Sequence, residues 1–83
     1  MQVNEVCERI KVGVVFEGSS IIPKWFYWGR KKHDITGVEH TWRSKEGETS
    51  LIFFSVTDGC NVYEIRFNLK TTEWRLEKVY MEG

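Results

Sequence analysis

The sequence predicts an all-β fold: a single-domain antiparallel meander of about six strands, which forms a curled sheet or a small barrel. Two observations favour strands. Short runs rich in β-branched and aromatic residues alternate at a period of two, and turn signals, most of them containing glycine, separate these runs. The third observation concerns closure of the sheet. In the second and fourth runs, large apolar side chains occupy both the odd-numbered and the even-numbered positions. That pattern favours a sheet that curls over itself and protects its edges.

The chain is long enough for one core, so residues 1–83 are interpreted as one small β domain. Aromatic residues make up 14% of the sequence and supply large buried areas, which suits a core built from few side chains. The first clear strand begins at about residue 9, and residues 1–8 are open to interpretation as a flexible N-terminal extension. The helical spacing in this segment is too short to predict a stable helix.

The first hairpin is predicted from strands at 9–16 and 21–28. The run RIKVGVVF alternates regularly, and EGSS after it is a typical turn sequence. Pro23 cannot donate a hydrogen bond to a neighbouring strand, so the second strand is expected to begin near it or to lie at a sheet edge. Gly29-Arg30 predicts a two-residue type II′ turn, which requires glycine at its first central position.

The third predicted strand, 31–43, changes its alternation in the middle. Ile35 lies on one parity and Val38 on the other, and Gly37 stands between them. A β-bulge or bend at Gly37 would bring both halves onto one face of the sheet. A polar loop centred on Gly47 is expected to end this strand.

The last three predicted strands are TSLIFFSVT, CNVYEIRFNL and WRLEKVY. Asp58-Gly59, between the first two, is the strongest hairpin signal in the chain and predicts a type I′ turn. Cys60 is interpreted as an ordinary residue of the strand that follows this turn. The polar sequence KTTE joins the last two strands.

The stretch PKWFYWGRKKHDI at 23–35 combines four consecutive aromatic residues with a glycine and several cationic residues. At a period of two, Trp25 and Tyr27 share one face of the strand, and Phe26 and Trp28 share the other. A single sheet buries one face, so one aromatic pair is expected to lie outside the core or beneath another segment. The candidate binding residues of this hairpin, 24–33, are Trp25, Tyr27, Trp28, Arg30, Lys31 and Lys32.

Several functions are compatible with this hairpin. Trp, Tyr and Arg are residues of protein-interface hot spots, so the first hypothesis is a non-catalytic domain that binds a protein partner. The alternative is binding of single-stranded nucleic acid, with bases stacked on the aromatics and phosphates on the cations. A homodimer through the aromatic patch is a third possibility, and packing of all four aromatics in the core is the simplest. With 12 basic and 12 acidic residues, any electrostatic attraction must be local.

Catalytic and metal sites are not predicted. His33 and His40 are expected to be exposed or at a sheet edge, and even with Cys60 they are a weak basis for a zinc site. Cys60 and His40 lack the sequence context of a nucleophile and its base, and no glycine-rich phosphate loop occurs. We therefore expect a protein that is not an enzyme, with no cofactor and no metal.

The sequence also predicts a cellular location. Cys7 and Cys60 form no CxxC motif and are expected to be reduced thiols. The first residues lack the basic and apolar regions of a signal peptide, and no apolar run approaches the ~20 residues that span a bilayer. These features predict a cytoplasmic protein without a membrane partner.

Aromatic and turn residues occur in a distinctive order between residues 21 and 80: P-x-W-F-x-W-G-R, a strand ending in T-W-R, D-G, V-Y-E-I and E-W-R-L-E-K-V-Y. This order resembles a family of small uncharacterised bacterial β-rich proteins, a domain of unknown function. The resemblance implies a compact β-rich domain and carries no established activity and no assigned site residues. An association of such proteins with DNA-repair polymerase genes would favour the nucleic-acid alternative slightly.

Overall fold

The computed structural model describes residues 2–81 and shows an all-β protein with a single antiparallel sheet. The seven strands are β1 (Gln2–Glu17), β2 (Ser20–Trp28), β3 (Lys31–Asp34), β4 (Gly37–Glu46), β5 (Thr49–Thr57), β6 (Val62–Asn68) and β7 (Trp74–Met81). They lie in the sheet in the order β3-β2-β1-β7-β6-β5-β4. Residues 2–81 contain no helix, and hence none that is long and apolar enough to cross a bilayer.

The predicted fold class is confirmed, with two differences in detail. Strands β1 to β3 and strands β4 to β7 each form a meander of antiparallel neighbours, and β1 pairs with β7 to join the two sets. The sheet has seven strands instead of about six, because the predicted third strand is divided. No ladder joins the edge strands β3 and β4, so the sheet is curled but not closed into a barrel.

Strand β1 is shared between two halves of the sheet. Its first part, Gln2–Ile10, pairs with β7, and its second part, Lys11–Glu17, pairs with β2. The register shifts between Glu5 and Glu8 and again at 13–14, and such bulges increase the bend and twist of a strand. The sheet therefore folds over itself along β1. Residues 2–8, which the sequence left open as an extension, are part of this strand.

The core lies between the inner faces of the two halves. Phe26 of β2 is fully buried, and its ring centroid lies 5.1 Å from that of Tyr63 of β6, with the rings nearly perpendicular. Alternate residues of β5, β6 and β7 fill most of the remaining interior, as the period of two predicts. The buried cluster consists of Ile10, Phe26, Ile52, Phe54, Val56, Tyr63, Ile65, Trp74, Leu76 and Val79.

The predicted third strand is wrong in its continuity, because it consists of two strands at opposite edges of the sheet. β3 ends at Asp34 and β4 begins at Gly37, so Ile35 and Thr36 alone carry the chain from one edge to the other. A connection this short spans only about 10 Å, so the two edges meet at this corner. The change of alternation near Gly37 marks this crossing, and the register shift of β4 follows at 38–40.

Two backbone hydrogen bonds fasten the crossing segment at this corner. The Ile35 N–H donates to the Lys24 carbonyl oxygen of β2 at 2.9 Å. The Thr36 N–H donates to the Thr57 carbonyl oxygen of β5 at 2.8 Å. The crossing segment therefore ties one half of the sheet to the other where no strand ladder connects them.

The turn predicted at Gly29-Arg30 is confirmed. Trp28 pairs with Lys31, which leaves two residues in the turn. Gly29 has a φ of 63°, and Arg30 is not among the residues with positive φ, as a type II′ turn requires.

The turn predicted at Asp58-Gly59 is a hairpin connection, but the type I′ prediction is wrong. Thr57 pairs with Val62, so the loop has four residues, 58–61. The Asp58 carboxylate stabilises this longer loop, since its Oδ1 accepts hydrogen bonds from the backbone N–H groups of residues 60 and 61 at 2.9 and 2.8 Å. Cys60 consequently lies in the loop, exposed and with a free thiol, instead of in the strand.

Candidate functional site

The β2–β3 hairpin divides the predicted binding residues between the two faces of the sheet. Tyr27 pairs with Lys32 and Trp28 pairs with Lys31, and paired residues of antiparallel strands point to the same side. Tyr27 and Lys32 therefore share the outer face with Trp25. Trp28 and Lys31 lie on the inner face, so the structure separates them from the other three.

The outer group is built on Gly13 of the neighbouring strand β1. The Trp25 ring lies against this glycine, where an added Cβ atom would be 2.0 Å from Cε2 of the indole. Tyr27 contacts Trp25 edge to face, with ring centroids 5.5 Å apart and ring planes at 77°. Lys32 Nζ lies 5.5 Å from the Trp25 ring centroid and 3.6 Å from an Asp34 carboxylate oxygen. Trp25 thus packs on β1 and within its own hairpin.

Tyr27 is the aromatic residue of the hairpin with the largest exposed fraction, 40%. It forms one wall of a groove of about 530 Å³, together with residues 8–11 of β1 and Gly29. Lys11 is the cross-strand neighbour of Tyr27, and Arg30 is exposed in the turn beside Gly29. Within residues 2–81, neither Lys11 nor Arg30 has a carboxylate oxygen within 4 Å. The groove, which we name the outer groove, therefore has an aromatic wall and a mainly cationic rim, with Arg9, Lys11 and Arg30 as its cations and Glu8 as a carboxylate.

Trp28 and Lys31 line a second concavity on the opposite face, with a volume of about 810 Å³. This inner cavity lies between the start of β1, the end of β7 and the loop after β5. Val79 and Met81 contribute apolar surface, and Glu5 lies at its β1 side. The sequence did not predict this cavity, because its walls come from segments far apart in the chain.

A polar cluster of the buried residues His33 and Tyr63 and the half-buried Asp58 forms one wall of the inner cavity. The Tyr63 hydroxyl donates to Asp58 Oδ2 at 2.7 Å, and His33 Nδ1 lies 3.4 Å from the Tyr63 oxygen and 3.7 Å from Asp58 Oδ2. His33 stacks on Phe26 at 4.9 Å and is only 9% exposed. His33 does lie on an edge strand, but its side chain is not exposed, because pairing with Phe26 directs it inward. His40 is exposed.

The hydroxyl hydrogen of Tyr63 determines the direction of the bonds in this cluster. Tyr63 has one such hydrogen, and it is directed to Asp58. A hydrogen bond between His33 and Tyr63 therefore needs a proton on His33 Nδ1, with the tyrosine oxygen as the acceptor. The cluster thus favours the tautomer of His33 that carries its proton on Nδ1.

The same contacts shift the acid–base equilibria of the cluster. Burial raises the pKa of Asp58, but hydrogen bonds from Asn61, Tyr63 and Cys60 outweigh this effect and hold the pKa below its ordinary value. Burial, and after it the hydrogen bond and charge of Asp58, raise the pKa of Tyr63 to about 12. At neutral pH, Asp58 is therefore an ionised acceptor and Tyr63 a neutral donor.

The cluster has the arrangement of a structural hydrogen-bond network that connects separate segments of the chain. Both carboxylate oxygens of Asp58 already accept hydrogen bonds, from the loop backbone and from Tyr63. Cys60 lines the same cavity, and within the described part of the chain no hydrogen bond joins its thiol to His33. Among residues 2–81, no group of three or more His, Cys, Asp or Glu side chains is placed to hold a metal ion. The cluster therefore connects β3, the loop after β5 and β6.

One sequence signal for the cluster was available. The two-residue turn at 29–30 sets the register of the hairpin, and that register places His33 opposite Phe26. A histidine opposite a core aromatic residue points into the core, where it needs a polar partner. The partners themselves, Asp58 and Tyr63, were not predictable as such, because they depend on how the two halves of the sheet pack.

Fold and surfaces together define the class: a small all-β protein with one curled antiparallel sheet, an outer groove with a cationic rim and an inner cavity bordered by a polar cluster. Comparisons with protein-family models, with curated proteins and with solved structures found no match to this chain. The resemblance to small bacterial β-rich proteins therefore stays a prediction.

Proposed function

We propose that this protein is a non-catalytic interaction domain that binds a protein partner through the outer face of the β2–β3 hairpin. The observation that carries the proposal is the 40% exposed Tyr27 ring in the outer groove, beside Lys11 and Arg30. An accessible aromatic anchor surrounded by a polar rim is the common arrangement of an interface hot spot. The chemistry of the groove fits a partner segment with an apolar side chain next to acidic residues.

The proposed surface uses four of the six predicted contact residues. Tyr27 is the anchor, and Arg30 belongs to the rim. Trp25 supports Tyr27 through the edge-to-face contact, and Lys32 lies over the Trp25 ring on the same face. Trp28 and Lys31 face the inner cavity and are not part of this surface. A partner on the outer face therefore does not contact them.

Single-stranded nucleic acid is the second candidate ligand, and the cations around the hairpin are the observation that favours it. Stacking of successive bases requires free ring faces in similar orientations. Trp25 lies against Gly13 and stands at 77° to Tyr27, so the two rings form no continuous platform. The geometry therefore supports a protein partner better.

An NMR titration of the ¹⁵N-labelled chain tests both candidates through the amide signals of Gly13, Tyr27 and Gly29 and the indole signal of Trp25. One probe is a set of acidic heptapeptides, each with one phenylalanine, leucine or tyrosine among aspartates and glutamates. The other probe is a mixed-sequence single-stranded oligonucleotide. We expect saturable shifts with at least one peptide, and an affinity about tenfold lower in Tyr27→Ser because the anchor is lost.

Trp42→Ser is the matched control, since Trp42 is also 40% exposed but lies on β4, at the other edge of the sheet. Its affinity for the peptides is expected to equal that of the wild type. Binding of the oligonucleotide alone, with a steep loss as salt rises, would contradict the protein proposal and support the second candidate. Peptide binding that Tyr27→Ser leaves unchanged would exclude the outer groove as the site.

A further inference from the structure

Two of the strand edges that have no ladder partner lie on opposite sides of one groove. β4 is the last strand of the sheet order and pairs only with β5. β3 pairs with β2 only from Trp25 to Trp28, so Ser20–Ile22 pair with β1 alone. An unpaired edge presents backbone N–H and C=O groups that can accept a further strand. On the β2 side these groups belong to the residues of Ser20–Ile22 whose N–H and C=O point away from β1, because Pro23 has no N–H.

The two unpaired edges border the same groove, which has a volume of about 420 Å³ and which we name the open seam. The crossing segment 35–36 closes the seam at one end by its hydrogen bonds to β2 and β5. From there the two edges run without a ladder between them. The lining consists of Ser19, Ser20, Ile21 and Ile22 on the β2 side, Val38, Thr41 and Arg43 on β4, and Ile52 and Phe54 of the core.

Exposed apolar side chains are concentrated at the β1–β2 end of the open seam. Phe16 is 69% exposed, the largest exposed fraction of any large apolar residue within residues 2–81, and it pairs with Ile21. Val15 is 44% exposed and pairs with Ile22, which lines the seam. Because consecutive strand residues point to opposite faces, Phe16 and Ile21 form an apolar surface on one face beside the seam, and Val15 and Ile22 lie on the other face.

We propose that the open seam binds an extended segment of a partner protein by strand addition. Backbone groups of Ser20–Ile22 and of β4 would form the ladder hydrogen bonds, and alternate apolar side chains of the segment pack on Ile52 and Phe54. The inserted strand completes the curled sheet between its two halves. This site is separate from the outer groove, and the inference does not depend on the proposed function of that groove.

The charge of the open seam specifies the segment further. Arg43 pairs with Ile52 and Lys45 pairs with Ser50, which places both cations on the seam side of β4. Within residues 2–81, neither cation has a carboxylate oxygen within 4 Å. A segment that alternates apolar residues and carries an acidic residue near Arg43 is therefore complementary to the seam.

The topology excludes a folded second copy of this chain as the occupant. A strand in the open seam has a neighbour on each side, so both of its own edges must be free. The edge strands of a second copy, β3 and β4, each already have one edge paired within their own sheet. Such a strand can pair with the free edge of β4, but its own second edge is already paired, so it cannot also pair with β2.

A displayed library of nine-residue peptides tests this proposal. The library has valine, isoleucine, leucine or phenylalanine at alternate positions and all residues at the positions between them. We expect enrichment of sequences with at least one acidic residue. When a selected peptide binds the full ¹⁵N-labelled chain, exchange of the seam-facing amides of Ser20–Ile22 and of β4 should slow by at least about tenfold, as expected for new ladder hydrogen bonds.

Three matched changes distinguish strand addition from other binding. Methylation of alternate backbone nitrogens in the peptide is expected to abolish binding, because the ladder donors are removed. Arg43→Glu is expected to lower affinity by about fivefold, and replacement of the acidic peptide residue by lysine should restore it. Tyr27→Ser in the outer groove is expected to leave affinity unchanged, which separates this site from the proposed function.

Three results would overturn the proposal. Absence of any enriched peptide would show that Arg43 and Lys45 serve only to keep other sheets away from this edge. Binding that survives backbone methylation and Arg43→Glu would place the peptide elsewhere. Slower exchange in β4 on concentrating the protein alone, with a doubled mass in solution, would identify a second copy as the partner of this edge.

Discussion

Both ends of β2 have β1 as their neighbour on one side. On the other side, one end pairs with β3 and the other end has no partner strand. From Trp25 to Trp28 the strand is covered by β3, and the Phe26 side chain is fully buried. Over Ser20–Ile22 no strand covers it, and Phe16, the cross-strand partner of Ile21, is 69% exposed. We name the first region the closed end. It includes the polar cluster of His33, Asp58 and Tyr63. The second region borders the open seam.

The difference shows that a short strand can close one part of a curled sheet and leave another part accessible. β3 has four residues, and the chain then crosses at Ile35–Thr36 to the other edge of the sheet. Because β3 ends there, its cover reaches only half of β2. Aromatic packing and charged hydrogen bonds accumulate at the closed end, where they stabilise the fold, and the open seam keeps free backbone groups, which suit binding.

The largest expected effect comes from a matched pair of phenylalanine truncations. Phe26→Ala removes a fully buried ring that contacts His33 and Tyr63, and it is expected to lower the free energy of unfolding by about 3–5 kcal/mol. Phe16→Ala at the open seam is expected to change it by less than about 0.5 kcal/mol. Urea denaturation followed by tryptophan fluorescence measures both. Equal losses for the two variants would contradict the comparison.

A second pair of variants concerns the polar cluster at the closed end. Tyr63→Phe keeps the ring and removes the hydrogen bond to the Asp58 carboxylate, so we expect a loss of about 1.5–3 kcal/mol in the free energy of unfolding. Tyr27→Phe, whose ring is 40% exposed, serves as the control with an expected change below about 0.5 kcal/mol. A Tyr63→Phe variant as stable as the wild type would show that the cluster contributes nothing to closure.

Two glycine substitutions compare the outer face of the closed end, at Gly13, with the end of the crossing segment, at Gly37. Gly13→Ala places a methyl group into the Trp25 ring and is expected to destabilise by on the order of 1 kcal/mol and to shift the Trp25 indole NMR signal. Gly37→Ala meets only the Thr57 Cγ2 atom at 3.7 Å, an ordinary contact, and should be tolerated. An unchanged Trp25 signal in Gly13→Ala would contradict the described contact.

The pKa shifts predict a smaller effect that is confined to the closed end. The pKa of Tyr63 is raised from 10.0 to about 12, so its stabilising contribution is present below pH 10 and is lost as pH rises toward 12. The difference in unfolding free energy between wild type and Tyr63→Phe should therefore shrink above pH 10. Denaturant titrations at several alkaline pH values measure this difference. A constant difference would contradict the raised pKa of Tyr63, which burial and then Asp58 cause.

The stabilising contribution of Asp58 is expected to be lost at acidic pH, whereas that of Tyr63 is lost at alkaline pH. Its pKa lies below the ordinary value of 3.8 in the folded protein, so its contribution is present above that value and is lost as pH falls further. The stability difference between wild type and Asp58→Asn is therefore expected to shrink below about pH 4. The same denaturant titrations, extended to acidic pH, measure this stability difference. A difference that grows as pH falls would contradict the lowered pKa of Asp58.

Local features of the fold were predictable from the sequence, because they depend on neighbouring residues. The turn at Gly29-Arg30 follows from the φ that its first central position requires, and the strand interiors follow from alternation. The division of 31–43 into two strands was not predictable in this way. A change of parity at Gly37 is the same signal for a bulge and for a crossing between sheet edges, and only the pairing partners distinguish them.

The candidate surfaces were predictable to a similar extent. Alternation correctly separated Trp25 and Tyr27 from Trp28, but it does not show that Gly13 of another strand lies under Trp25. The open seam was beyond sequence reasoning altogether, because it results from the place where β3 stops relative to the length of β2. That relation appears only when both strands are positioned in the sheet.

Amide hydrogen exchange along β2, measured by NMR on the free protein, tests the comparison most directly. Residues Trp25–Tyr27 pair with a strand on each side, whereas Ser20–Ile22 have a strand on one side only. We predict that the most protected amide at the closed end exchanges at least on the order of 100-fold more slowly than the seam-facing amides of Ser20–Ile22. Uniform protection along β2 would mean that the seam is closed in solution and would contradict the account.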